Sequence, residues 1–188
     1  MQRREALAEG ILACRTLTRR YLAGFNETNH VSQAPGAPNH VAWCLGHCAL
    51  TMHRVAEKLD GRSIPPEDFI GVNKVEDTPR FGGKFDPESV AFGSSPIDDA
   101  MGYPMFSRCV DIYETACHRL AEAVRHCDEP RLDHKAKWGQ SELHLWEMVL
   151  RMIFHNGHHT GQIADLRRAL GMGSIFVETR QDVHTRVL

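Results

Sequence analysis

Residues 145–171 read LWEMVLRMIFHNGHHTGQIADLRRALG, and the spacing within them decides the fold. Apolar side chains recur at alternating intervals of three and four through Leu145, Met148, Met152, Leu166 and Ala169. That is the seam of a helix packed nearly parallel to its neighbours. The same count places His155, His159 and Gln162 in the seam. Ser141 has the chemistry of an N-cap and Gly171 that of the residue just past a helix end, so the expected helix opens at 141 and closes at 171.

Three earlier segments carry the same period. The first runs through Leu7, Ile11, Cys14, Thr18, Tyr21 and Phe25 and predicts a helix over 3–25, stopped near Gly24 and Asn26. The second starts after Pro38 with Asn39 as N-cap, follows Val41, Leu45, Cys48, Met52, Val55 and Leu59, and ends at Gly61. The third runs from about Pro104 to Cys127, ahead of Pro130. The expectation is an all-α four-helix bundle forming a single domain over 1–188. Residues 62–103, rich in Gly, Pro, Asp and Ser, form an elaborated loop between the second and third helices. Connections this long serve as lids or binding segments, or are variable crossovers.

Composition narrows the partners. Apolar residues make up 42% and charged residues 24%, and 22 basic against 24 acidic side chains leave a net charge of −2. Such a surface offers no broad attraction to nucleic acid or anionic lipid. The N-terminus enters amphipathic helix directly, and no run approaches the roughly 20 apolar residues that span a bilayer. The reading is a cytoplasmic protein. The six cysteines lie within helical patterns, none as C-x-x-C, and read as reduced core residues.

Of the twelve histidines, three fall within five residues of the last helix. His155 and His159 lie about 40° apart and one turn apart, so both imidazoles can reach one ion. His158 falls instead on the side of Glu147, Arg151 and Asp165. Two neutral imidazoles in a seam need partners, and a metal satisfies both, although buried carbonyls or carboxylates would also hold them. A further ligand has to come from another helix. Helix 2 offers His47, on the shoulder of Cys44 and Thr51, and His53, which shares a face with Ala42, Gly46 and Glu57; His47 is preferred. Cys44 and Cys48 alternate with Leu and Ala and read as packing. No glutamate follows His155, so the H-E-x-x-H hydrolase pattern is missing. The one Glu27-Thr-Asn-His30 lies in a loop, which excludes a carboxylate-bridged di-iron site.

The segments Asn39-His-Val-Ala-Trp-Cys-Leu-Gly-His47 and Phe154-His-Asn-Gly-His-His-Thr-Gly-Gln-Ile163 resemble the two signatures of the DinB-like metalloprotein superfamily. Leu166 to Gly171 is similar to the end of that family's fourth helix. The resemblance implies an up-down-down-up bundle with His47, His155 and His159 as metal ligands. It also shows a departure, Thr160 standing where the family's H-R-G-Q carries arginine. Family members include bacillithiol S-transferases and a mycothiol-dependent maleylpyruvate isomerase, and others are induced by DNA damage. Gly161 in place of a glutamate sets the chain apart from ergothioneine-type sulfoxide synthases.

The resulting expectation is a transferase that uses one divalent ion, zinc, nickel or iron, to activate a low-molecular-weight thiol against an electrophile, with Gln162 orienting a ligand. Two other readings share the ion: a small hydrolase, and a non-catalytic stress protein that forms a homodimer through Trp146, Val149, Leu150 and Ile153.

Overall fold

The computed structural model describes residues 2–70 and 83–176. It is mostly helical, with α1 at Arg3–Tyr21, α2 at Val41–Asp60, α3 at Phe106–His126 and α4 at Leu145–Ala169. A small antiparallel hairpin, β1 (Lys135–Trp138) and β2 (Ser141–His144), stands immediately before α4. Among the described residues no helix is long and apolar enough to cross a membrane.

The seams read from the sequence become the core. α1 packs against α3 and α4, and α2 packs against the same two helices. Sixteen of the twenty residues of α2 are buried, because the connection that follows the helix covers the side α3 and α4 leave open. Phe85 in that connection is fully buried against Gly46, where an added Cβ would come within 2.7 Å of the ring. Glycine at 46 is therefore a packing requirement of the aromatic lying on it. Val90 is also fully buried, and Trp43 Nε1 donates to Ser94 Oγ at 2.9 Å. The described parts of the 62–103 connection are thus sewn onto α2; residues 71–82 lie outside the described residues.

A buried chain of hydroxyls links three helices. Tyr113 of α3 donates to Thr18 of α1 at 3.0 Å, and Thr18 meets Thr160 of α4 at 2.6 Å. Thr160, the departure from the expected motif, is only 3% exposed and faces α1.

Helix ends differ from the expected ones. α4 does not open at Ser141, which belongs to β2; its N-cap is His144, whose N–H donates to Glu147 Oε2 at 2.7 Å. α2 is capped by His40, whose Nδ1 accepts from the Trp43 N–H at 3.1 Å, and not by Asn39. α1 stops at Tyr21, short of 25, and the chain then turns through Gly24 at φ +86°. α3 starts at Phe106, where Glu27 accepts from the N–H groups of Phe106 and Ser107 at 2.7 and 3.1 Å. Glu27, excluded above as a di-iron ligand, is a helix cap supplied from a distant loop.

Candidate metal centre

α2 delivers His47 and α4 delivers His155 and His159, one turn apart, to a common point. The Nε2 atoms of His47 and His155 are 3.1 Å apart, as are those of His159 and His155. Two nitrogens each about 2.0–2.1 Å from a tetrahedral ion sit roughly 3.3 Å apart, so the spacing fits a shared cation. Among the described residues these three histidines are the group able to hold one.

The tautomers point the same way. His47 Nδ1 lies 2.7 Å from the Val90 carbonyl oxygen, which can only accept, so Nδ1 carries the proton and Nε2 presents a lone pair. His159 Nδ1 lies 2.8 Å from Gln162 Oε1 and is held in the same state. Two lone pairs are therefore aimed at His155 Nε2. A single N–H there would have to be shared between them at poor angles, whereas one cation satisfies all three nitrogens. Among the described residues the buried His155 Nδ1 has no hydrogen-bond partner, so no outer acceptor fixes the angle of that ring.

Charge state agrees with ligation. Burial, reinforced by His159 and His47, pushes His155 down to about 3. Burial also lowers His159 to about 4, against the bond to Gln162, and lowers His47 against the bond to Val90. All three are neutral near pH 7, which is the ligating form.

The surroundings are rigid on one side and open on the other. Trp43 stacks on His47 with ring centroids 4.6 Å apart and 13° between planes. Gln162 Oε1 also accepts from Asn39 Nδ2 at 3.0 Å, while Gln162 Nε2 donates to His158 Nε2 at 3.1 Å. On the open side a cavity of about 610 Å³ reaches His47 and His155 between α2, α4 and the hairpin turn. Cys44 and Cys48 stay outside the histidine group; burial pushes the Cys44 thiol up to about 12 and Cys48 well above its ordinary value, so neither is a ready thiolate.

Residues 11–163 match the sequence profile of the DinB superfamily. The chain belongs to the DinB superfamily. A crystal structure of a conserved protein from Enterococcus faecalis shares the DinB chain's fold, with a TM-score of 0.66 and 15% identity over 90% of this chain and 97% of that one. None of the curated proteins matches it.

The structure brings His47, His155, His159 and Gln162 together and leaves His158 exposed on the outer side of α4. His53 is buried elsewhere: Arg119 donates to its Nδ1 at 3.2 Å and Asp68 lies 3.6 Å from its Nε2. Gln162, expected to orient a bound ligand, instead accepts from His159 Nδ1 and so sets the angle of a candidate metal-holding ring. Three supports of this DinB centre escaped the sequence reading. The Val90 carbonyl has no side-chain signature, Asn39 was assigned to a cap, and Trp43 was given no role of its own within the 39–47 motif.

Proposed function

We propose that the protein is a metal-dependent transferase that joins a low-molecular-weight thiol to an electrophile. The observation that carries this reading is the convergence of three imidazole nitrogens, two of them oriented by hydrogen bonds, beside a cavity that reaches His47 and His155. Three protein ligands with a free side are the pattern of catalytic centres, whereas structural centres close with four. A divalent ion held there would supply Lewis acidity that lowers the pKa of a thiol at the remaining position.

The chain's own groups do the rest. His47 and His159 are held at fixed angles by Val90 and Gln162, so little reorganisation accompanies binding. Leu50 and Met152 line the cavity beside the ligands and exclude water from the sulfur. A hydrolase would need a base at the ion, and among the described residues no carboxylate joins the three histidines. The dimer reading loses part of its surface: Val149 is fully buried within the chain, and Ile153 packs on Gly10, leaving Leu150 half exposed.

The helices are read as up-down-down-up. Consecutive parallel helices need a crossover as long as a helix, roughly 30 Å for twenty residues. Residues 61–105, between α2 and α3, supply that length.

Cobalt substitution tests the function. Adding a small thiol to the cobalt-loaded protein is expected to shift the visible bands and to add a sulfur-to-metal transition, and His47→Ala is expected to lose both the metal and the response. A spectrum indifferent to thiols, or four protein ligands around the ion, would move the protein to the structural class.

A further inference from the structure

We infer that the molecule taken by this centre carries an oxyanion, a carboxylate or a phosphate, about two helical turns from its reacting atom, and that Arg54, Lys58, Lys137 and Arg151 hold it. The inference deepens the thiol reading and relies on it only for the reacting end.

The placement follows from the helices. Arg54 stands seven residues along α2 from His47, about 10 Å, and Lys58 four residues further on. Arg151 stands one turn, about 6 Å, from His155 on α4. Lys137 comes from β1 across the same space. All four line the cavity that ends at His47 and His155, and Glu57 is the single acid in the lining. In a chain of net charge −2, that is a local concentration of positive charge.

Among the described residues only Glu57 of the lining opposes it. Elsewhere in the protein several arginines are paired with carboxylates: Arg3 with Glu129 and Asp133, Arg119 with Asp60, Arg125 with Glu5, Glu9 and Glu122. Among the described residues no carboxylate pairs with Arg54, Lys58, Lys137 or Arg151. Several unpaired cations in one cleft repel one another, and a bound oxyanion relieves the repulsion while gaining charge-assisted hydrogen bonds.

The apolar members of the lining fit the middle of the same molecule. Leu50 lies between His47 and Arg54 along α2 and Met152 between Arg151 and His155 along α4, and Trp138 and Phe92 complete the apolar lining. Phe92 is 95% exposed although it lines the cavity, so an organic ligand would cover it. The volume, about 610 Å³, suits a small molecule and not a chain segment.

A matched pair of thiols separates the two ends. The full-length cobalt-loaded protein is titrated with 6-mercaptohexanoate and with 6-mercaptohexanol, which differ only in the terminal group. The carboxylate is expected to bind about tenfold more tightly at low salt, and less so as salt rises. The double variant Arg54→Gln with Arg151→Gln is expected to erase that preference while metal content and mercaptohexanol affinity stay unchanged. Lys137→Gln, on the exposed hairpin, should reduce the preference with no risk to the core. Equal affinities in the wild type, or a preference that survives in both variants, would overturn the inference. If neither thiol moves the spectrum, the transferase reading fails, and calorimetry with hexanoate then decides the oxyanion site alone. Heat of binding present in the wild type and lost in the double variant supports it; no heat in the wild type rejects it.

Discussion

One oxygen of Gln162 accepts from His159, Asn39 and the Cys44 thiol, so a single amide sets a ligand ring and ties α4 to the approach to α2. Gln162→Leu keeps the volume and removes the acceptor. Metal affinity, measured by chelator competition, is expected to fall about 10–100-fold with helix content unchanged, the range for lost outer partners of a ligand. His158→Ala is the control, because His158 only receives a bond from Gln162 Nε2 and should keep the metal. His40 gives a different test. Burial pushes it down to about 4, against its bond to Ile97, while its Nδ1 must stay unprotonated to cap α2. Its folded pKa is below its unfolded value, so the unfolded chain takes up the proton first as pH falls. The stabilisation is complete above about 6.5 and is lost as pH drops toward 4. In metal-free protein, the wild type is expected to lose about 2–3 kcal/mol more than His40→Asn across that window, measured by urea unfolding at each pH. At this scale the two α4 histidines were legible because period alone puts them on one side of the helix. The Val90 carbonyl was not, since every residue has one.

Among the elements, α3 depends on a cap that lies about eighty residues away in sequence. Glu27 would be pushed up by its partial burial, but the Phe106 and Ser107 N–H groups outweigh that and hold it below its ordinary value. Its contribution is therefore present above the unfolded carboxylate pKa and fades as pH falls through the folded one. Glu27→Gln is expected to cost about 1 kcal/mol at pH 7, with wild type and variant converging as pH falls through the lowered folded pKa, as read from denaturant midpoints. The four helices were legible because their seams run long enough for a period to show. Their starts were not. His40 and His144 occupy cap positions that Asn39 and Ser141 suit better by type, and tertiary partners took those two elsewhere. The hairpin was hidden for another reason: strands of four residues, each largely exposed, carry too little alternation to register, and Ser141 looked like the beginning of a helix.

For the molecule as a whole, an ion at the three histidines would join α2 to α4, two helices otherwise held by packing and by the weak Cys44–Gln162 hydrogen bond. Adding zinc to the metal-free protein is expected to raise Tm by on the order of 10 °C, which follows from a ligand at about a thousand times its Kd and the usual shift per kcal/mol at this chain length. His155→Ala with His159→Ala should abolish the increment, and calorimetry with and without chelator reads it. The connection from α2 to α3 enters that balance through its main chain. Because the atom that steadies His47 is a carbonyl, any apolar residue able to fill the space of Val90 leaves the grip intact, and point substitutions there are weak probes of the centre. Chain length is another matter. Phe85 is anchored on Gly46 and Val90 on His47, so the stretch between them is a ruler, and removing one residue displaces the carbonyl by roughly 3 Å. Lineages of this protein should drift freely in spelling across 86–89 while conserving the number of letters.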